Sequence, residues 1–270
     1  MTDASYTLIF DCDGVLADTE RYGHLPAFNG AFAELGIPMR WSEDDYAALV
    51  RIGGGKERIT AALADARHDG LFDEHEPPQD LVPRIHAVKT DIYRNLVSDG
   101  VMPPRPGVAR LIRSAISSGW QVAVASTSAP ASVRSVLDSV VGHEAAEHIP
   151  IFAGDVVPAK KPAPDIYLLA LDRLGANAET TIVVEDSAAG MRAAISAGLA
   201  CIVTPSSYTL AEDFTPAAAV VTSLGDADEP TKVLSDPFHV TFGDTVDTEA
   251  LRRLLARCRQ PLTSTHRELS

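Results

Sequence analysis

The sequence predicts an α/β fold, a doubly wound (Rossmann-like) parallel sheet with an inserted helical cap domain, and three observations support this class. Short apolar runs recur along the chain, helix-like stretches separate most of them, and a long helical excursion follows the first run. Apolar runs that are continuous rather than alternating are typical of strands buried on both faces of a parallel sheet. Six runs predict six strands, over residues 6–10, 121–125, 149–152, 181–184, 199–203 and 217–221.

The helices between these strands have recognisable ends. Pro130 and Pro164 each begin a helix, because proline is accommodated in a first helical turn. Gly175 suits the end of the helix that follows Pro164, and Ser187 is the expected N-cap of the helix after the fourth strand. Strands that alternate with helices of this length predict βαβ units.

Residues from about 20 to 100 interrupt this alternation and have a mostly helical pattern, with turns at Gly36-Ile37-Pro38, Gly53-Gly54-Gly55 and Pro77-Pro78. Ordinary βα connections are about 2–6 residues long, so this excursion predicts an inserted cap domain. The expected division is 1–18 and 101–235 for the discontinuous core, 19–100 for the cap, and 236–270 for a C-terminal extension with one helix over 248–259. Residues 226–237 are expected to form a polar connector.

The composition indicates an ordinary globular protein, with 270 residues of which 46% are hydrophobic and 22% are charged. The formal net charge of −14 argues against a nucleic-acid partner, because such binding depends on Lys and Arg that neutralise phosphates. Three widely spaced cysteines, without a Cys-x-x-Cys pair or a secretory leader, predict a reducing, cytoplasmic location. No apolar run approaches the ~18 residues that span a bilayer, so no membrane partner is expected, and we expect a monomer.

Polar side chains suited to phosphate follow four of the predicted strands. They are Asp11 and Asp13 after the first strand, Ser126, Thr127 and Ser128 after the second, Lys160 and Lys161 after the third, and Glu185 and Asp186 after the fourth. Ligands of an open parallel sheet bind outside the carboxyl ends of its strands, so we expect these groups to meet. Converging carboxylates repel each other unless a hard cation joins them, which predicts Mg²⁺ as the cofactor.

Phosphoryl transfer is the chemistry that this set of groups favours. A carboxylate can act as the nucleophile, and a second carboxylate can protonate the leaving group and activate water. Asp11 comes directly off the strand and is the better candidate for the nucleophile, whereas Asp13, already in the loop, is the better general acid/base. Lys161 adds a positive charge, and the Ser126 hydroxyl can hold a phosphoryl oxygen.

Each feature taken alone has a simpler interpretation, as a turn, a solvated lysine pair or a helix N-terminus. Their coincidence at four successive strand ends favours a joint site. A calcium-binding loop is excluded by the spacing, because Val15 and Leu16 stand where that loop needs a ligand and a glycine. Strand alternation points Cys12 away from both aspartates, which predicts a packing role.

In this order, the stretch "DCDGV", Ser126, Lys161 and the stretch "VEDSAAG" resemble the four motifs of the haloacid dehalogenase superfamily of phosphotransferases. The resemblance implies Asp11 as the nucleophile, Asp13 as the acid/base, and Mg²⁺ held by Asp11, the Asp13 backbone carbonyl and Asp186. It places Glu185 outside these ligands or as an occasional one. The expected cap matches the helical cap class of this superfamily.

A closer resemblance covers roughly residues 6–225 and is to the CbbY-type sugar-bisphosphate phosphatases associated with Rubisco. It is carried by "DTERYGHLPAFNGAF", "RIGGGKERIT", "ASTS", "AGDVVPAKKPAPDIY" and "TPSSYTLAEDF". This resemblance implies that a phosphorylated sugar is the partner and that the enzyme removes the 1-phosphate of xylulose 1,5-bisphosphate. The chain departs from the pattern at Ala129-Pro130, where such relatives usually carry Asn and a charged residue.

The predicted cap offers groups that suit such a substrate. The glycine turn permits close backbone approach, Lys56 and Arg58 are expected to clamp a second phosphate, and Glu20 and His24 are expected to contact sugar hydroxyls. The simpler interpretations are a flexible turn that opens a helix and a histidine that only packs. The predicted substrate-binding residues are Glu20, His24, Gly54, Gly55, Lys56, Arg58, Thr127 and Ser128.

Two other functions stay open from the sequence. A mutase that resembles β-phosphoglucomutase would share the cap type and the acid/base aspartate. A signalling receiver module, which is phosphorylated on an aspartate after the third strand, would use Asp155.

Overall fold

The computed structural model describes residues 5–52, 54–68 and 80–259, and a seven-stranded sheet runs through it. The strands are β1 Thr7–Phe10, β2 Gln121–Ser126, β3 Ile151–Ala153, β4 Thr181–Glu185, β5 Ala200–Val203, β6 Ala219–Val221 and β7 Val233–Ser235. Their order is β3-β2-β1-β4-β5-β6-β7, with β1 to β6 parallel and β7 antiparallel to β6. The predicted α/β class is confirmed.

Helices flank this sheet and fill the interval between its first two strands. Those found in the described residues are α1 Leu25–Glu34, α2 Glu43–Leu49, α3 Gly55–His68, α4 Leu81–Ser98, α5 Val108–Ser117, α6 Pro130–Val141, α7 His143–Glu147, α8 Asp165–Leu174, α9 Ala188–Ser196 and α10 Thr248–Cys258. A π-helical turn over Glu20–His24 precedes α1, and a 3₁₀ turn over Ala178–Thr180 precedes β4. Helix α9 begins as predicted, because the Ser187 hydroxyl accepts a hydrogen bond from the Gly190 N–H.

The two faces of the sheet carry different helices, as a doubly wound sheet requires. In β1, Leu8 and Phe10 point to the hydrophobic cluster that contains residues of α5, α6 and α10. Ile9 points to the opposite cluster, with residues of α8 and α9. All four residues of β1 are buried, which explains why this strand has a continuous apolar run rather than an alternating one.

Helices α1 to α4 surround a hydrophobic cluster of their own, which includes Phe28, Phe32, Trp41 and Tyr46. Such a cluster fits a cap over residues 19–100, although the boundaries themselves stay a prediction. Gly53 and the predicted Pro77-Pro78 turn lie outside the described residues. None of the helices in the described ranges is both long and apolar enough to cross a membrane.

Two predictions about the sheet were wrong in detail. The expected polar connector contains the strand β7. Its three residues are all exposed, so the sequence shows there neither the continuous apolar run of a buried strand nor an apolar and polar alternation. The third strand begins at Ile151 rather than Ile149, because the Ile149 N–H bonds to the Ala146 carbonyl at the end of α7. The C-terminal helix is present over Thr248–Cys258, and its Leu251 and Leu254 pack into the same cluster as α5.

Candidate active site

The carboxyl ends of β1, β2 and β4 bring the predicted groups together. Asp11 follows β1 directly, Ser126 is the last residue of β2, and Glu185 is the last residue of β4. These strands are neighbours in the order β2-β1-β4, so their ends lie side by side. All three side chains are buried.

Lys161 contacts residues at the ends of all three of these strands. Its Nζ lies 2.6 Å from Asp11 Oδ1, 2.7 Å from Glu185 Oε1 and 3.0 Å from the Ala125 carbonyl oxygen. The Tyr167 hydroxyl donates to the same Glu185 oxygen at 2.5 Å. Burial disfavours the ammonium form, but the charges of Asp11 and Glu185 outweigh burial and raise the pKa of Lys161. The lysine is therefore a fixed positive charge at this edge of the sheet.

Three buried carboxylates form a cluster with the donor chemistry of a divalent-cation site. One oxygen each of Asp11, Glu185 and Asp186 lies within 4.8 Å of the others. Burial raises the pKa of Asp11 to about 7, although the charge of Lys161 opposes the shift. Burial, together with Glu185 and Asp11, raises the pKa of Asp186 well above its ordinary value. The single positive charge of Lys161 does not balance the negative charge of three carboxylates. A set of donors that consists only of oxygen atoms fits a hard cation such as Mg²⁺.

Two glycines shape this cluster. A Cβ at Gly14, whose φ is +76°, would lie 2.1 Å from Asp186 Oδ2, and a Cβ at Gly190 would lie 2.0 Å from Glu185 Oε1. Side chains at these positions would displace the carboxylates, which explains the glycines of "DCDGV" and "VEDSAAG" in local steric terms.

Asp13 lies apart from the cluster, and its carboxylate has other partners. Oδ1 accepts a hydrogen bond from the Thr19 hydroxyl at 2.6 Å, and Oδ2 accepts one from the Ser128 hydroxyl. His24 Nε2 lies 3.8 Å from Oδ1. Burial opposes ionisation of this carboxyl, but the hydrogen bonds and charge of His24, with Ser128 and Thr19, hold its pKa below the usual range.

The two predicted substrate-binding residues after β2, Thr127 and Ser128, have different surroundings. Ser128, expected to bind substrate, donates to Asp13, and its N–H donates to the Ser126 hydroxyl at 3.1 Å. Thr127, the residue between them, is exposed.

Lys89 and Tyr93, which the sequence analysis missed, hold His24 in place. Lys89 Nζ lies 2.6 Å from His24 Nδ1, and the imidazole stacks on Tyr93 with ring centroids 4.3 Å apart. Burial lowers the pKa of Lys89 to about 8. A signal was present in the sequence, because Lys89 shares the four-residue spacing of the buried α4 residues Ile85 and Tyr93. A lysine within an apolar stripe of this kind indicates a buried polar contact.

Glu20 and Arg58 are paired with each other rather than presented separately. Arg58 Nη1 lies 3.2 Å from Glu20 Oε2 and donates to the Tyr46 hydroxyl at 2.6 Å, and Tyr46 donates to Glu20. The Arg58 guanidinium also bonds the carbonyls of Ile52 and Val50. With its donors directed to these groups, Arg58 is poorly placed to clamp a phosphate, and its geometry suits the positioning of Glu20.

The glycine turn lies at the start of α3. Gly54 has a φ of +99°, and Gly55 is in contact distance of the His86 ring from α4. Lys56, in the first turn of α3, is exposed. These residues come from α3 and α4.

Comparison with known proteins gives the family. Residues 7–198 match the haloacid dehalogenase-like hydrolase family. The chain belongs to this family. A CBBY-like protein of Arabidopsis thaliana is 44% identical to it over 230 residues, which are 85% of this chain and 72% of that protein. Protein CbbY, plasmid, of Cupriavidus necator is 39% identical over 228 residues, 83% of this chain and 87% of that protein.

A solved structure of a CbbY mutant from Rhodobacter sphaeroides in complex with xylulose 1,5-bisphosphate is similar to this fold, with a TM-score of 0.71 and 39% identity. The similarity covers 81% of this chain and 94% of that chain. The predicted resemblance to the haloacid dehalogenase superfamily and its CbbY-type members is confirmed, and the chain is a phosphatase. Enzymes of this family generally use a divalent metal, which the carboxylate cluster fits. The monomeric state and the cytoplasmic location stay predictions.

Membership of a hydrolase family argues against the receiver interpretation. Asp155, which that interpretation would phosphorylate, is exposed and pairs with Lys160 at 2.9 Å. It does not belong to the carboxylate cluster of Asp11, Glu185 and Asp186.

Proposed function

We propose that this chain is a Mg²⁺-dependent phosphatase that removes the 1-phosphate of xylulose 1,5-bisphosphate, or a phosphate of a related sugar bisphosphate, through an aspartyl phosphate on Asp11. The observation that carries the mechanism is the separation of two neighbouring aspartates into different environments. Asp11 belongs to the carboxylate cluster and contacts Lys161, whereas Asp13 is held by Thr19, Ser128 and His24. Such a separation suits a nucleophile and an acid/base.

In the first half-reaction, an oxygen of Asp11 forms a bond to phosphorus while the bond between phosphorus and the sugar oxygen breaks. Asp13 gives its proton to the leaving sugar oxygen. Lys161 fixes the orientation of Asp11 and adds positive charge beside the transferring phosphoryl group. The Ser126 hydroxyl, at the end of β2, is suited to hold a phosphoryl oxygen.

In the second half-reaction, water attacks the phosphorus of the aspartyl phosphate, Asp13 accepts the proton of that water, and inorganic phosphate leaves. The lowered pKa of Asp13 keeps its carboxylate ionised in the ligand-free protein, and only the ionised form can accept the proton of the water. For the first step, the negative charge of an arriving phosphate raises the pKa of Asp13 and favours the protonated acid.

Asp11, Asp186 and the Asp13 backbone carbonyl would hold Mg²⁺, which when bound would supply positive charge for these carboxylates and for the phosphoryl oxygens. Glu185 is better suited to a supporting position, because its Oε1 contacts Lys161 and Tyr167 and its Oε2 accepts the Asp186 N–H at 3.2 Å.

Glu20 is the residue that we assign to the sugar hydroxyls. It lies in the π-helical turn that follows Thr19, so it is close in sequence to the Asp13 contact. Arg58 and Tyr46 fix its carboxylate, and a carboxylate fixed in this way accepts hydrogen bonds from hydroxyls at little entropic cost.

Phosphate release from a panel of sugar phosphates and bisphosphates, with and without Mg²⁺, tests the function. We expect Mg²⁺-dependent release, its loss in Asp11→Asn, and a decrease of about 10²- to 10⁴-fold in Asp13→Asn. Asp155→Asn is the matched control, because this exposed aspartate lies outside the site. Full turnover in Asp11→Asn would refute the mechanism, and mass spectrometry of the quenched enzyme should find the phosphoryl group on the peptide that contains Asp11.

The same assay separates a phosphatase from a mutase. A mutase of the β-phosphoglucomutase type protects its aspartyl phosphate from water and releases almost no inorganic phosphate. Stoichiometric release of phosphate from the sugar bisphosphate supports the phosphatase, and isomerised sugar phosphate without release would contradict it.

A further inference from the structure

Helix α4 carries a row of polar side chains that leads away from Asp13. Tyr93 stacks on His24, and Lys89 Nζ lies 2.6 Å from His24 Nδ1. His86 precedes Lys89 by three residues and therefore lies on the same helix face, one turn further from Tyr93. Seven residues separate His86 from Tyr93, which is about 10 Å along the helix axis. This length is comparable with an extended five-carbon sugar that carries a phosphate at each end.

The far end of this row meets the glycine turn of α3. A Cβ at Gly55 would lie 3.1 Å from Cδ2 and 3.2 Å from Nε2 of His86, so the edge of the imidazole lies over the backbone of this glycine. Lys56 follows directly in the first turn of α3. The half-buried imidazole of one helix therefore lies against the turn whose next residue is the exposed Lys56 of another helix.

The electrostatic surroundings of His86 favour an anion. Burial lowers its pKa, and the charges of Lys89, Lys56 and His24 lower it further, while Glu57 opposes them. The Glu57 carboxylate lies against Gly54, on the other side of the turn. Burial and then the neighbouring positive charges disfavour the imidazolium form, and a phosphate bound there would offset the positive charge.

Neither the loop after β2 nor Arg58 supplies a free cation for a second phosphate. The loop from Thr127 to Pro130, after β2, has no charged side chain. Arg58 is directed to Glu20, Tyr46 and two backbone carbonyls. Compared with that loop and with Arg58, Lys56 and His86 are the better placed groups for an anion at this end of the row.

We propose that the second phosphate of the sugar bisphosphate binds between Lys56 and His86, and that His86 determines the preference for bisphosphates over monophosphates. This inference rests on the proposed function. The His86 ring N–H donates to a phosphate oxygen, Lys56 adds charge, and the missing side chain of Gly55 leaves room for the His86 imidazole to lie against the turn.

Steady-state kinetics of His86→Ala on xylulose 1,5-bisphosphate and on xylulose 1-phosphate test the inference. We expect KM for the bisphosphate to rise about tenfold or more, with kcat changed less than about twofold, because the contact is made away from the reacting phosphorus. KM for the monophosphate should stay unchanged. His86→Gln retains a donor and should recover part of the loss, and His143→Ala, at an exposed histidine of α7, is the matched control.

Calorimetric binding of the bisphosphate to Asp11→Asn, with and without His86→Ala, gives a readout that does not depend on turnover. A tenfold weaker affinity in the double variant supports the site. Equal effects of His86→Ala on both substrates, or none on either, overturn the role of His86 while the phosphatase assignment stands. Absence of bisphosphate turnover in the unaltered chain overturns the proposed function and this site together.

Discussion

Replacing Gly14 by Ala tests the geometry of the carboxylate cluster. The new Cβ would lie 2.1 Å from Oδ2 and 2.5 Å from Cγ of Asp186. Ordinary carbon–oxygen contact needs more than 3 Å, so the carboxyl group must move by about 1 Å. A shift of this size costs about 100-fold in catalytic rate when it displaces a positioned group. Alanine at a φ of +76° adds about 1–2 kcal/mol of backbone strain.

We therefore expect Gly14→Ala to lower the rate of phosphate release about 100-fold and to raise the Mg²⁺ concentration needed for half-maximal activity. Titration of Mg²⁺ in the phosphate-release assay and a thermal melt measure the two effects separately. Gly175→Ala is the matched control, because Gly175 also has a positive φ, +59°, but no atom lies within 4 Å of the added Cβ. If both variants lose a few degrees of Tm and both keep full activity and Mg²⁺ response, the steric argument is wrong.

Three further predictions concern charge. Lys161→Met leaves the buried carboxylates of Asp11 and Glu185 without their cationic partner. We expect activity to be lost and the free energy of unfolding, measured by chemical denaturation, to fall by about 3–5 kcal/mol. An unchanged free energy of unfolding would contradict this prediction. In the metal-free protein, the raised pKa of Asp11 means that the folded chain keeps a proton that the unfolded chain loses between about pH 4 and about pH 7. Thermal melts should therefore show a stability that falls as the pH rises through this range and that recovers when Mg²⁺ is added. A flat pH profile would refute this prediction. Lys89→Met removes the partner of His24 Nδ1 and should lower kcat about tenfold with little change in KM, whereas the exposed control Lys160→Met should not.

Much of the fold could be predicted from the sequence, because the buried strands carry their signal in their own residues. The apolar runs at β1, β2, β4 and β5 are continuous, since both faces of each strand are covered by helices. Strand β7 carries no such signal, because its residues are exposed and it is fixed by pairing with β6.

The residues of the candidate site also differ in how far their positions could be predicted from the sequence. Residues at strand ends could be placed from the topology, because parallel strands deliver their carboxyl ends to one edge. The partners of cap residues could not, since they depend on how separate helices pack. Arg58 was expected to bind phosphate, but its contact with Glu20 joins residues 38 positions apart, and Lys89 reaches His24 across 65 positions.

Two carboxyl groups only two residues apart in sequence, Asp11 and Asp13, have pKa values displaced in opposite directions. The pKa of Asp11 is raised to about 7 because it is buried beside other carboxylates, whereas that of Asp13 is lowered by His24, Ser128 and Thr19. Ionisation of Asp11 and binding of a divalent cation must therefore favour each other, because each reduces the cost of the other. In the proposed mechanism, Asp11 is then fully ionised when the metal is bound, while Asp13 depends on contacts that include His24. The proposed mechanism therefore has two separate requirements, a cation at the sheet edge and the contact of the cap with Asp13.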